Sequence, residues 1–130
     1  MNILVIDDEE KICDLIKIFL ESTFEFHSVI TAPSAIQAMQ KILNQEFDLL
    51  IIDQILPGKL GVEFIEQIKS NLKFNSMKII LISGYLQQED VLTAIQYGVK
   101  NIVVKPFTRQ QLVSQVSEVL KIPIDGDLSF

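Results

Sequence analysis

Acidic, hydroxyl and basic side chains follow the apolar runs of this sequence at four places along the chain. The residues at these run ends are Asp7, Asp8, Asp53, Ser83 and Lys105. A carboxylate directly after buried-type residues is costly unless its charge is needed. Three carboxylates in one pocket repel each other, so they need a cation or must protonate. Carboxylate oxygens suit hard divalent cations, and we expect Mg²⁺, with Mn²⁺ or Ca²⁺ as possible substitutes.

Phosphoryl transfer is the chemistry that this set of side chains predicts. The three carboxylates carry three negative charges, and a divalent cation together with Lys105 carries three positive ones, so the site without phosphate is expected to be neutral. Phosphoryl oxygens would then face the cation, the Lys105 ammonium and the Ser83 hydroxyl, which are groups that stabilise a transferring phosphoryl group. Because a carboxylate can act as a nucleophile and form an aspartyl phosphate, Asp53 is the predicted acceptor.

Five apolar runs predict the β-strands that position these side chains. They cover residues 3–6, 26–30, 49–52, 79–82 and 102–104. Most of these runs are continuous rather than alternating, which is typical of strands that are buried on both faces of a parallel sheet. Open sheets of this class bind ligands beyond the carboxyl ends of their strands, which is where the charged residues lie.

Segments with a helical spacing of apolar residues separate the runs. Residues 34–45 and 88–97 are two predicted helices, and Gly98 is a predicted helix stop. Three further helices are indicated by apolar stripes, which consist of Ile12, Leu15, Ile16, Phe19 and Leu20, of Ile65, Ile68 and Leu72, and of Leu112, Val116, Val119 and Leu120. This β-α order, repeated five times, predicts an α/β fold with a five-stranded parallel sheet and helices on both faces.

Length and composition predict a single intracellular domain. The 130 residues suffice for one core, and we assign residues 1–121 to the domain and 122–130 to a short tail or the start of a linker. The formal charge of −6 argues against direct binding of nucleic acid. Cys13 is the only cysteine, so no internal disulfide can form. The start, MNILVIDDEE, is no signal peptide and no window is apolar enough to span a membrane, so the expected location is the cytoplasm.

Four motifs, taken together, resemble those of the receiver domains of two-component response regulators, in particular the chemotaxis-type single-domain receivers. They are the acidic pair in VIDDEE, the acceptor in LLIIDQILPGKLG, the hydroxyl in LISGY, and VVKPF. The resemblance covers residues 2 to about 121, and the spacing from Asp53 to Ser83 and from Ser83 to Lys105 fits the family without gaps. It implies a flavodoxin-like (βα)5 fold with strand order 2-1-3-4-5.

The resemblance also implies a role for each site residue. Asp53 would be the phosphoacceptor, Ser83 would contact the phosphoryl group and move inward with it, and Lys105 would pair with a phosphoryl oxygen. The Lys105–Pro106 bond would be cis.

The metal ligands are likewise implied by the resemblance. Asp8 and Asp53 would bind Mg²⁺ directly, with the backbone carbonyl of Ile55 as a third protein ligand. Asp7 would act mainly through a metal-bound water.

The resemblance implies protein partners on both sides of the signal. The phosphoryl donor would be a phosphohistidine on a sensor histidine kinase or phosphotransfer protein, docked near the first helix. The downstream target would bind the face formed by the fourth helix, the fifth sheet strand and the fifth helix, with no membrane contact. The chain would be a monomer or a phosphorylation-dependent dimer.

Two positions depart from the family pattern. Ile102 stands where a switch aromatic is frequent, and Leu60 stands where an acidic residue usually precedes Gly61.

Several other functions remain open for this sequence. The chain could be a degenerate receiver that acts as a phosphorylation-independent scaffold, or the receiver fragment of a larger transcription regulator or hybrid histidine kinase. An aspartyl-phosphate hydrolase would need a second Asp two residues after the nucleophile, where Ile55 stands. A flavodoxin-like electron carrier would need a phosphate loop in place of DDEEK. We therefore expect a signalling phosphoacceptor that catalyses its own phosphorylation and dephosphorylation, and not a metabolic enzyme.

Overall fold

A five-stranded parallel sheet lies between two layers of helices in the computed structural model, which describes residues 1–85 and 87–124. The strands in chain order are β1 (Asn2–Ile6), β2 (Ser28–Ala32), β3 (Leu49–Asp53), β4 (Ile55–Leu56), β5 (Lys59–Leu60), β6 (Lys78–Ser83) and β7 (Asn101–Val104). The main sheet has the order β2-β1-β3-β6-β7, and β4 and β5 form a separate antiparallel pair. Counting the five sheet strands alone, this is the predicted 2-1-3-4-5 order, which is confirmed.

Within the described residues, four helices connect strands of the main sheet and a fifth follows β7, as the sequence predicts. They are α1 (Glu10–Thr23), α2 (Ala35–Asn44), α3 (Gly61–Lys69), α4 (Gln88–Gln96) and α5 (Arg109–Leu120). The Ser34 hydroxyl caps α2 by accepting a hydrogen bond from the Gln37 amide at 3.2 Å. Gly98 follows the end of α4 with a φ of +84°, a left-handed conformation that favours glycine.

The continuous apolar runs are explained by burial of both faces of the sheet. Successive side chains of a strand point to opposite faces. Leu50 and Ile52 of β3 therefore pack in the core cluster that contains residues of α2, α3 and α4. Leu49 and Ile51 pack in the second cluster, with residues of α1 and α5. Every residue of β3 is buried, including Asp53, the last one. The Asp53 carboxylate therefore lies at the end of an otherwise apolar strand.

Local predictions fail at three places in the connecting segments. The second strand begins at Ser28 and not at residue 26, because Phe26 packs against Phe24 in the connection before the strand, with ring centroids 5.1 Å apart. Leu72 lies beyond the end of α3 and is 91% exposed, so it does not belong to the apolar stripe of that helix. Leu15 is 37% exposed on α1, whereas Cys13 of the same helix is buried.

The end of the described chain continues to pack after α5. Ile122 and Ile124 are partly buried against the core cluster that α1 and α5 cover. The other residues of the predicted tail, 125–130, lie outside the described residues, so its assignment as a tail or linker stays a prediction. Among the helices of residues 1–85 and 87–124, none has the length and apolar character needed to cross a bilayer.

Candidate functional site

Backbone pairing brings the ends of four strands, β1, β3, β6 and β7, to one edge of the sheet. Asp7 directly follows β1, and its amide donates to the carbonyl of Ala32 at the end of β2. Asp53 ends β3 and lies opposite Ile82 of β6. The Lys105 amide donates to the Ser83 carbonyl at 2.8 Å, which ties the residue after β7 to the end of β6. Parallel pairing thus collects the charged side chains that are far apart in sequence.

The Lys105 ammonium lies among three carboxylates at this edge. Its Nζ is 3.0 Å from Asp7 Oδ2, 3.2 Å from Glu9 Oε1 and 3.4 Å from Asp53 Oδ2. Asp7 and Asp53 are buried, whereas the Glu9 side chain is 61% exposed. Lys105 therefore offsets two buried negative charges that would otherwise repel each other without compensation.

Glu9 is a member of the site that the sequence analysis did not include. One carboxylate oxygen from each of the four residues Asp7, Asp8, Glu9 and Asp53 lies within 4.8 Å of the other three. The predicted balance of three negative charges was therefore wrong, because a fourth carboxylate enters the same space. With Lys105 and a divalent cation, this group keeps one net negative charge. The acidic run DDEE was the available signal, but a run of charges at a helix start is usually a solvated surface.

Burial and neighbouring charges shift the acid–base behaviour of the acceptor and the lysine. Burial, followed by the negative charge of Asp7, raises the pKa of Asp53 from its ordinary value of 3.8 to about 6, although Lys105 opposes this shift. Burial alone would lower the pKa of Lys105, but the carboxylates of Asp7, Asp53 and Glu9 outweigh burial and raise it. Near neutral pH, Asp53 is therefore largely ionised and Lys105 is charged.

The acidic group fits a hard divalent cation. All of its side-chain donors are carboxylate oxygens, the ligands that such cations prefer. Asp7 Oδ2 is buried and forms an ion pair with the Lys105 ammonium at 3.0 Å, but it accepts no hydrogen bond in the part of the chain that the structure describes. Asp8 is exposed beside it, and Ile55, which the sequence analysis names as a carbonyl ligand, is the first residue of β4.

Ser83 lies at the edge between Asp53 and Lys105, but its hydroxyl bonds within its own turn. Ser83 Oγ donates to the Tyr85 carbonyl at 2.8 Å and accepts from the Tyr85 amide at 3.1 Å. Ile102 pairs with Leu81 across β6 and β7 and is partly buried against the α3–α4 side of the core. The Lys105–Pro106 bond is cis.

Gln54 is a second residue that the sequence analysis missed. It is 1% exposed, and its Oε1 accepts a hydrogen bond from the Val62 amide at 3.0 Å in the first turn of α3. Leu60, the residue before α3, makes no side-chain cap, so Gln54 supplies the acceptor that the helix start lacks. Its signal in the sequence was a polar residue directly after a buried strand.

We expect Leu60→Asp to stabilise a Gln54→Leu variant by about 1 kcal/mol, and the wild type by clearly less. In the variant, the Val62 amide has lost its acceptor, and an aspartate at position 60 can provide one. In the wild type, Gln54 already fills this role. Urea unfolding of the four proteins of the double-mutant cycle measures the difference. Equal gains in both backgrounds would contradict the capping role of Gln54.

Cys13 is buried beneath the same edge and its thiol is held protonated. Its Sγ donates to the Asp7 carbonyl at 3.3 Å. Burial, and then the charge of Asp7, raises the pKa of the thiol to about 11. Cys13 therefore supports the Asp7 backbone and takes no part as a nucleophile at neutral pH.

Comparison with known proteins agrees with this geometry. The model of the family described as "Response regulator receiver domain" matches residues 3–117. The chain is 32% identical over 121 residues to the chemotaxis protein CheY1 of Helicobacter pylori, covering 92% of this chain and 97% of that protein. It is 30% identical to the response regulator ArlR of Staphylococcus epidermidis over 98% of this chain, but it spans only 56% of that protein's length. A crystal structure of a CheY-like receiver domain protein from Methanospirillum hungatei JF-1 has 31% identity, a TM-score of 0.83 and coverage of 92% and 93% of the two chains. The chain belongs to the receiver domain family of the two-component response regulators.

Proposed function

We propose that the receiver accepts a phosphoryl group on Asp53 from a phosphohistidine of a partner kinase or phosphotransfer protein. The observation that carries this proposal is the position of the buried Asp53 carboxylate, 3.4 Å from the Lys105 ammonium and inside the acidic group. The ionised carboxylate can attack phosphorus. The neighbouring Lys105 ammonium can then stabilise the oxygens of the phosphoryl group.

The transfer uses the side chains of the site in distinct roles. An Oδ atom of Asp53 forms the new bond to phosphorus while the bond between phosphorus and the donor imidazole breaks. The electron pair stays on the imidazole nitrogen, and a proton from solvent keeps the ring neutral. Lys105 pairs with an oxygen of the incoming group, and Ser83 can donate to another once its hydroxyl leaves the Tyr85 carbonyl.

The donor set of the site supports Mg²⁺ as its cation, with Mn²⁺ or Ca²⁺ as substitutes. Asp8 and Asp53 would hold it directly together with the Ile55 carbonyl, and Asp7 would act through water. When bound, the cation supplies positive charge to the phosphoryl oxygens. The buried Asp7 oxygen without a hydrogen bond supports this assignment.

Phosphorylation is proposed to change protein contacts through the face formed by α4, β7 and α5. Leu92 and Ile95 of α4 and Val104 of β7 are exposed apolar side chains there, which supports docking of a downstream protein. Ile102 is aliphatic and partly buried in β7, so no aromatic ring flip is available at this position. We propose that inward movement of Ser83 and repacking around Ile102 transmit it instead.

The proposed protein is a signalling switch that catalyses its own phosphorylation and dephosphorylation, and not a metabolic enzyme. Ile55 stands where an aspartyl-phosphate hydrolase would need its acid, which supports this distinction. A lone buried thiol suits a reducing compartment, and we infer that the protein acts in the cytoplasm. The chain spans 97% of CheY1 but only 56% of ArlR, so these relatives include a protein of similar length and a longer one.

Intact-mass spectrometry with Mg²⁺ and acetyl phosphate tests the acceptor. We expect the wild type to gain one phosphoryl mass, which hydroxylamine removes as it does from an acyl phosphate. Asp53→Asn should gain none, and Asp14→Asn, which changes the charge of an exposed residue of α1 in the same way, should gain as much as the wild type. No gain in folded wild-type protein, or an equal gain in Asp53→Asn, would contradict the proposal and favour a phosphorylation-independent scaffold.

A further inference from the structure

The three carboxylates around Lys105 differ in their freedom to move. Asp7 is 2% exposed, and Asp53 is buried and is the proposed acceptor itself. Glu9 is mostly exposed, and the hydrogen bond from Lys105 at 3.2 Å is the only one that its side chain makes within residues 1–85 and 87–124. Only Glu9 can therefore leave Lys105 without stranding a buried charge.

The Glu9 backbone is held firmly, although its side chain is not. Its amide donates to Asp7 Oδ1 at 2.9 Å, and its carbonyl accepts from the amides of Ile12 and Cys13 at the start of α1. The side chain thus starts from a fixed position beside Lys105. Rotation about its own bonds can carry the carboxylate into solvent without moving the strand end or the helix.

Of the three carboxylates that face the Lys105 ammonium, Glu9 is the one that accepts a hydrogen bond from it, and the contacts with Asp7 and Asp53 are ion pairs. A phosphoryl oxygen that binds Lys105 therefore competes most directly with Glu9. We propose that Glu9 is a positioning residue that holds Lys105 before phosphorylation and yields its place to the phosphoryl oxygen. This inference rests on the proposed function of Asp53. Until Glu9 is displaced, its negative charge opposes the binding of an anionic phosphoryl donor.

The effect of Glu9 on small donors follows from its charge. While it faces Lys105, its carboxylate repels an incoming phosphate and competes for the same ammonium. Removal of the charge should lower the concentration of acetyl phosphate that gives half the maximal rate by roughly threefold to tenfold. Because Glu9 is exposed, the repulsion should be screened, and the advantage of the variant should shrink, when salt is raised from roughly 0.05 to 0.5 M.

The test compares Glu9→Gln with Glu10→Gln, which removes the same charge one residue further on and outside the acidic group. Rates are taken from intact mass against time, at Mg²⁺ concentrations that saturate each variant in a separate titration. We expect a lower half-saturating donor concentration for Glu9→Gln only, with a gain that fades at high salt. A half-saturating concentration for Glu9→Gln that equals or exceeds that of the wild type, or the same gain in Glu10→Gln, would overturn the role of Glu9.

A second readout does not depend on phosphorylation. The ¹⁵N signal of the Lys105 ammonium in the unmodified, Mg²⁺-free protein should shift in Glu9→Gln and stay unchanged in Glu10→Gln. An unchanged signal in both variants would reject the resting contact. If the wild type takes up no phosphoryl group at all, the function proposed for Asp53 fails, whereas the ammonium signal still reports on Glu9 and Lys105.

Discussion

Asp53→Asn will raise the free energy of unfolding at neutral pH in the absence of Mg²⁺, although it removes the proposed phosphoacceptor. The wild-type carboxylate is buried next to Asp7, and this environment raises its pKa from 3.8 to about 6. A neutral amide avoids both the burial of a charge and the repulsion. The shift corresponds to roughly 3 kcal/mol for the isolated group. We expect a measured gain of about 1–3 kcal/mol, because Lys105 loses a charged partner.

The pH dependence of this gain has a definite sign. Because the pKa of Asp53 is higher in the folded than in the unfolded protein, its stabilising contribution is fully present below pH 3.8. It is lost as the pH rises through about 6, where the folded protein releases the proton. Asparagine does not titrate. The difference in stability between Asp53→Asn and the wild type should therefore grow from about pH 4 to about pH 6 and then level off.

Urea unfolding of both proteins at a series of pH values in EDTA measures this difference. Groups remote from the site titrate alike in the two proteins, so the comparison reports on position 53 together with the charges that it faces. Saturating Mg²⁺ should reduce the difference in free energy of unfolding between the two proteins, because a cation that binds the folded wild type stabilises it. A variant that is less stable than the wild type at pH 7.5 in EDTA would show that Lys105 more than offsets the repulsion from Asp7.

Gly61→Ala will damage both stability and phosphoryl uptake. A Cβ at position 61 would lie 2.6 Å from the Asp53 carbonyl oxygen and 3.0 Å from Gln54 Cα. Both atoms belong to backbone that cannot swing aside, and the Gly61 amide also donates to the Gln54 carbonyl at 2.7 Å. We expect a loss of about 3 kcal/mol in stability. The forced shift of the acceptor's backbone should also slow phosphorylation by roughly tenfold or more.

Gly84→Ala is the matched control for this substitution. A Cβ there would meet only the Lys105 Cβ at 3.8 Å, an ordinary contact, although Gly84 lies at the same edge of the sheet. Denaturant unfolding should show a change below about 0.5 kcal/mol for Gly84→Ala. Similar losses in the two variants would mean that any added methyl group at this edge is harmful. The close approach of Gly61 to Asp53 would then not be the cause.

The strand and helix pattern can be predicted from the sequence because burial restricts which residue types occur at each position. A strand that is covered on both faces needs apolar residues at every position, and residues 49–52 show this directly. The prediction was least accurate in the connections. Phe26 and Leu72 are apolar, but neither the start of β2 nor the end of α3 is set by hydrophobicity alone. Those boundaries depend on which surfaces the neighbouring elements leave open.

Gln54 and Glu9 show why part of the site escapes the sequence. Gln54 compensates for the missing cap at Leu60, a pairing that exists only because the chain turns back from β3 to α3. Glu9 enters the site only because α1 begins with its first turn over the strand ends. The partner of Gln54, Val62, lies beyond the turn between β3 and α3. Glu9 belongs to the acidic run DDEE, in which nothing distinguishes it from its neighbours.

The sequence by itself determined the fold class, the strand order that the family resemblance implies, and the choice of Asp7, Asp8, Asp53, Ser83 and Lys105 as the residues at one edge. It could do so because parallel strands with regular crossovers leave few arrangements. Only the tertiary structure decided which charges touch, that a fourth carboxylate faces Lys105, and that the Ser83 hydroxyl is already bonded. These are contacts of side-chain atoms at 2.8–3.4 Å. Such distances depend on packing across the whole sheet edge, and no local pattern of residues encodes them.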